Sequence, residues 1–124
     1  MRILLADDQQ NVRFALRVLL KRRPELEVIG EAVEAKALLA LLEETCPDLV
    51  LLSWELAGLA ALGWLYLMRE ICPDLRVIAL SGRPGARRAA MAAGADAFVS
   101  KTDPPEYLLA AIAGCGHERC SQNP

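Results

Sequence analysis

Residues 48–63 read DLVLLSWELAGLAALG. Leu49, Val50, Leu51 and Leu52 follow an aspartate without a polar interruption and run into Ser53 and Trp54. A strand with one wet face alternates apolar and polar residues, whereas a strand covered on both faces reads as a continuous apolar run. This stretch is therefore expected to be an interior strand of a parallel sheet, with Ser53 at its carboxyl end. A hydroxyl at that position is the question the rest of the chain must answer.

Working outward, apolar runs of strand length alternate with helical periodicity. RILLA (2–6) precedes NVRFALRVLLKRR (11–23), where Val12, Ala15, Leu16, Leu19 and Leu20 recur at helical spacing. LEVIGEA (26–32) precedes EAKALLALLEET (34–45), and DLVLLSW (48–54) precedes ALGWLYLMREI (61–71). LRVIALS (75–81) then precedes GARRAAMAAG (85–94), and DAFVSK (96–101) precedes PEYLLAAIA (105–113). Five strand–helix units with right-handed crossovers make an open doubly wound sheet or part of a closed barrel, and about 120 residues are too few for the eight units of a barrel. The expected fold is α/β, a doubly wound five-stranded parallel sheet in a three-layer sandwich.

The chain has 124 residues, 54% hydrophobic and 24% charged, with a net charge of −2. That is the profile of one domain with a sizeable core. The near-neutral balance offers no clustered basic face for phosphate neutralisation, so direct nucleic-acid binding is not expected. The opening MRILLADD has an apolar run too short for a signal or membrane segment, so a cytoplasmic location is expected. In that compartment Cys46, Cys72, Cys115 and Cys120 are expected to stay reduced. Cys46 and Cys72 nevertheless share the echo CPDL, at 46–49 and 72–75. The echo reads as a repeated helix-to-strand connection, with a redox pair as the alternative. In CGHERC, Cys115, His117 and Cys120 fall short of the four ligands of a structural zinc site, and the tail 115–124 reads as a frayed end.

In open parallel sheets the working crevice lies beyond the carboxyl ends of the strands. Asp7 and Asp8 follow the first strand, Ser53 and Glu55 the third, Ser81 the fourth and Lys101 the fifth. Any one of these could be a plain exit to solvent. Together they are harder to dismiss, because an adjacent acid pair needs a cation or a lysine beside it.

LLADDQQNVRFALRVLL, PDLVLLSWELAGL, VIALSG and GADAFVSK together resemble the receiver domain of bacterial two-component response regulators, of the LuxR/NarL type, over residues 2–113. The resemblance implies a flavodoxin-like (CheY-like) fold, with residues 1–114 as the receiver-like domain. It also implies that Asp7 and Asp8 stand where the family holds Mg²⁺, that Ser81 and Lys101 stand at the phosphate-contact positions, and that Phe98 is the switch aromatic. Ser53 takes the place of the aspartate that receives the phosphoryl group. Ala57 replaces the usual proline, and Ala60 replaces the acid that commonly follows the turn.

A carboxylate attacks phosphorus directly, whereas a serine needs a neighbouring base, and Asp7, Asp8 and Glu55 have ordinary pKa values near 4. Mg²⁺ also loses a charged ligand. With aspartate at position 53 the three acids and Lys101 would sum to about −2, and with serine to about −1, so Lys101 is expected between Asp7 and Asp8 in place of a cation. The expected function is a phosphorylation-independent interaction module, a pseudo-receiver and not an enzyme, with no cofactor beyond at most weak Mg²⁺ binding. The alternative is the regulatory domain of a LuxR-type DNA-binding regulator still switched by a ligand or by modification at Ser53. Expected partners are a second copy or another protein, with a histidine kinase or a fused output domain as the classes the resemblance implies, and no membrane. The expected interaction face runs through Arg87, Arg88, Met91, Phe98 and Tyr107.

Overall fold

The computed structural model describes residues 1–59 and 63–121, with side chains described as far as Cys115. Strands and helices alternate as β1 (Arg2–Ala6), α1 (Gln10–Leu20), β2 (Glu27–Ala32), α2 (Ala35–Thr45), β3 (Leu49–Ser53), α3 (Trp64–Ile71), β4 (Arg76–Ser81), α4 (Ala86–Ala92), β5 (Ala97–Ser100) and α5 (Pro105–Ser121). Every strand pair is parallel and the order across the sheet is β2-β1-β3-β4-β5. β3 is thus the central strand, and all five of its residues are buried, as its uninterrupted apolar run requires.

Alternate residues of the central strands supply two separate cores. Leu4, Ala6, Val50, Leu52, Val77 and Ala79 face α2, α3 and α4 through Leu38, Leu42, Leu65, Met68 and Ala90. Ile3, Leu5, Leu49, Leu51, Ile78 and Leu80 face α1 and α5 through Leu16, Leu20, Leu108, Leu109 and Ile112. The result is the doubly wound three-layer sandwich expected from the sequence. No described helix is long and apolar enough to cross a membrane.

Element ends depart from the sequence expectation for local reasons. α1 stops at Leu20 although the pattern ran to Arg23, because the Arg22 and Arg23 N–H groups reach back only three residues, to the Leu19 and Leu20 carbonyls, in a tightened last turn ahead of Pro24. α5 continues past residue 113, through Gly114 to Ser121, so the stretch from 115 read as a frayed end begins inside a helix. Helical glycine costs about 1 kcal/mol relative to alanine, but Cys115 is buried and extends the stripe of Leu108, Leu109 and Ile112 by one more turn. His117 and Cys120, considered as ligands, have side chains outside the described residues, as does Ala60 in whole.

The expectation that all cysteines stay reduced is overturned at one place: Cys46 and Cys72 form a disulfide, with Cα atoms 5.5 Å apart. The cause is topological. Each CPDL ends one helix and enters one strand, the two strands are the neighbours β3 and β4, and Leu49 is in register with Arg76. Repeating one connection on adjacent parallel strands puts the same residue of each copy side by side.

On the other side of the sheet, α1 is tied to β2 by Arg13 and Arg17, whose guanidinium groups both pair with Glu31. Partial burial pushes the Glu31 carboxyl up, but the two arginine hydrogen bonds outweigh it and hold the group below the ordinary carboxylate value. A depressed acid stabilises the fold above its unfolded pKa and loses that contribution as pH falls through the folded one. Wild type should therefore be more stable than Glu31→Gln at neutral pH. Denaturation at a series of pH values should show the gap closing below the ordinary glutamate pKa, and a gap unchanged down to the acid limit would contradict the pairing.

Candidate functional site

β1 has β2 on one side and β3 on the other, so the strand order reverses at β1 and the crevice opens at the carboxyl ends of β1 and β3. Asp7 leaves β1 there and is only 1% exposed. Ser53 closes β3, Ser81 closes β4, and both hydroxyl residues are buried. Lys101 follows β5 directly, and its backbone N–H donates to the Ser81 carbonyl, which holds the lysine at this edge.

The Lys101 ammonium lies 2.9 Å from Asp7 Oδ2 and donates to Ser53 Oγ at 3.1 Å. It joins the two strands that flank the crevice. Asp7 Oδ1 accepts the Gln9 N–H at 2.9 Å, so one oxygen of the buried carboxylate is hydrogen-bonded and the other is ion-paired without a hydrogen bond. Lys101 was expected between Asp7 and Asp8, and this is corrected: among the described residues it pairs with Asp7 alone, and Asp8 is exposed. Both acids lie beyond the end of β1, where Asp7 turns inward and is buried while Asp8 faces solvent.

Glu55 lies in the same loop but serves a different partner. Its Oε2 accepts the Ser81 hydroxyl at 2.7 Å, and the Arg83 guanidinium lies 3.9 Å from it. Ser81 Oγ in turn accepts the Arg83 N–H at 3.0 Å. Two closed sets result, Asp7–Lys101–Ser53 and Glu55–Ser81–Arg83. The Ser53 hydroxyl faces an ammonium donor, which draws electron density from its oxygen, and a nucleophilic serine needs the opposite partner.

The loop beyond Ser53 is held from two directions. Trp54 N–H donates to the Leu80 carbonyl at 2.8 Å, and the Ala57 carbonyl accepts the Ala35 N–H at 2.8 Å. Gly58, with φ +82°, makes the turn that a side chain would strain. Arg83 and Arg13 were not anticipated from the sequence. Arg13 donates to the Asp7 carbonyl at 2.8 Å while pairing with Glu31, which links α1 to the crevice wall. A basic residue two positions after a strand-ending serine was the available signal for Arg83.

Phe98, on β5, is half-buried, and the Arg87 guanidinium sits 4.9 Å above its ring. On α4 the small residues Ala86 and Ala90 pack inward, leaving Arg87, Arg88 and Met91 outside, with Met91 43% exposed. Tyr107 on α5 is 59% exposed. All five residues named for the interaction face are thus brought to β5 and its two flanking helices, and all but Phe98 are open to solvent.

The sequence profile of the response regulator receiver domain matches residues 3–113. The nitrate/nitrite response regulator protein NarL of Escherichia coli is 32% identical over 112 residues, covering 89% of this chain and 52% of NarL. The chain therefore spans about half the length of that relative. Among solved structures, a LuxR-family two-component response regulator from Aurantimonas matches with a TM-score of 0.82 and 32% identity, over 91% of this chain and 82% of that one. A LuxR-family DNA-binding response regulator from Staphylococcus aureus matches with a TM-score of 0.80 and 28% identity, over 92% and 97% of the two chains.

Proposed function

This chain belongs to the response regulator receiver domain family, in its LuxR/NarL type, and from that premise we propose that it is a receiver that signals by protein contact without accepting a phosphoryl group. The observation that carries this reading is the Lys101 ammonium on both Asp7 and Ser53. A lysine in that position supplies the positive charge that the buried Asp7 requires, without a metal. The donor set does not suit Mg²⁺, which prefers several charged oxygens in octahedral array, because one acid is already paired, one is exposed and the third position is a neutral hydroxyl. Nor does the site favour a small anion over Ser81 and Lys101, since each is engaged by a carboxylate. The domain performs no turnover of its own.

Its output is a surface held in one state. The face of Arg87, Arg88, Met91 and Tyr107 takes a protein partner, either a second copy or an output domain of the kind carried by DNA-binding response regulators. It acts in the cytoplasm, where such signalling operates, and touches no nucleic acid itself. Sedimentation velocity tests this function. Association of the wild type should be unchanged by Mg²⁺ with beryllofluoride, a phosphate mimic, and should be lost in the Arg88→Glu, Met91→Glu double variant. Association that appears only with the mimic would overturn the reading.

A further inference from the structure

The Cys46–Cys72 bond has no part in the crevice at the carboxyl ends of the strands, because it lies at the opposite edge of the sheet, where β3 and β4 begin. Its two sulfurs are not equivalent. Cys72 is 3% exposed and belongs to the α2–α3–α4 core, whereas Cys46 is exposed at the end of α2. Both border a cavity of about 380 Å³ that is also lined by Pro47, Asp48, Pro73 and Cys115. The bond thus borders open space, and Cys46 is its exposed partner.

The surroundings suit the reduced pair as well as the oxidised one. Cys72 Sγ lies 3.4 Å from the Leu42 carbonyl and Cys46 Sγ lies 3.6 Å from the Ile71 carbonyl. Each sulfur, once it carries a hydrogen, has an acceptor already within reach. Breaking the bond therefore leaves no buried polar group unsatisfied, which removes a main cost of opening a buried crosslink.

From the paired cysteines, the unequal exposure of the two beside an open cavity and the waiting acceptors, we infer that Cys46 and Cys72 form a reversible thiol-modification site that exchanges with small thiols and disulfides. In closing, the Cys46 thiolate attacks a small disulfide RSSR, giving a Cys46–S–SR mixed disulfide and releasing RS⁻. Cys72, as thiolate, then attacks the Cys46 sulfur and expels the second RS⁻, which takes up the proton Cys72 gave up. The two protein thiols are oxidised and RSSR is reduced to two RSH. Opening runs the same steps backwards, with an external thiolate attacking exposed Cys46 and Cys72 leaving. A bond at these junctions ties α2–β3 to α3–β4, so the site offers an input that needs no chemistry at Ser53, and it stands independently of the function proposed above.

Equilibrating the full chain in graded mixtures of reduced and oxidised glutathione, quenching with an alkylating agent and counting modified thiols by intact mass tests the inference. Two thiols should appear together across one window of the glutathione ratio, and Cys115→Ser should titrate in the same window. In oxidised glutathione, Cys72→Ser should gain one glutathione, mapped to Cys46. Cys46→Ser, with folding checked by circular dichroism, should gain none at buried Cys72. A bond that stays closed in the most reducing mixture while the protein is folded would make it a permanent brace and overturn the inference. So would a bond that never forms in the most oxidising mixture, or pairing through Cys115.

Discussion

Replacing Lys101 with methionine should lower the unfolding free energy by about 2 to 3 kcal/mol near neutral pH. Asp7 is 1% exposed, and its Oδ2 faces the ammonium at 2.9 Å. Removing that cation leaves a buried carboxylate with the Gln9 backbone N–H on one oxygen and no counter-charge on the other. Breaking a fully buried pair costs about 3 to 5 kcal/mol, and the lower figure follows because the Lys101 side chain is 20% exposed and water can enter where it stood. Urea denaturation at neutral pH reads the loss. Pairing Lys101→Met with Asp7→Asn should recover most of it, because an amide carries no charge to bury. An unchanged midpoint in the single variant would show that the lysine is solvated.

A second large effect is expected at the other edge of the sheet. Reducing the Cys46–Cys72 bond reopens a loop with a sequence separation of 26 residues. The chain entropy restored to the unfolded state corresponds to about 3.5 kcal/mol. Denaturation of the wild type with and without a phosphine reductant should show this difference. Reduction should leave the Cys46→Ala, Cys72→Ala double variant unmoved, and equal midpoints for oxidised and reduced wild type would argue against the bond.

The sheet is legible in the sequence because burial on both faces leaves an unmistakable pattern, and Leu49 to Leu52 show it without interruption. Once the strands are placed, their carboxyl ends follow, so strand order along the chain is enough to gather Asp7, Ser53, Ser81 and Lys101 at one edge. Their pairing does not follow in the same way. Whether Lys101 meets Asp7 or Asp8 depends on which residue turns inward as β1 ends, and adjacent aspartates look alike in sequence. Glu55 groups with the acids by position, yet it turns to Ser81 and Arg83, a choice made by the geometry of the loop after β3.

The disulfide shows a different limit. The CPDL echo is visible in the sequence, but reading it as a bond requires knowing that the two copies feed neighbouring strands in near-equal register. A compartment-based expectation overrode that local signal. At the C-terminus, the glycines at 114 and 116 hid the continuation of α5, which the buried Cys115 makes worthwhile energetically.

The proposed function depends on whether the crevice accepts phosphate. Intact mass after incubation with acetyl phosphate and Mg²⁺ measures it directly, with Ser53→Asp run alongside as the variant in which an acceptor carboxylate is restored. Wild type should keep its unmodified mass while Ser53→Asp gains one phosphoryl group. A stoichiometric phosphoryl adduct on the wild type would contradict a receiver that works without phosphorylation.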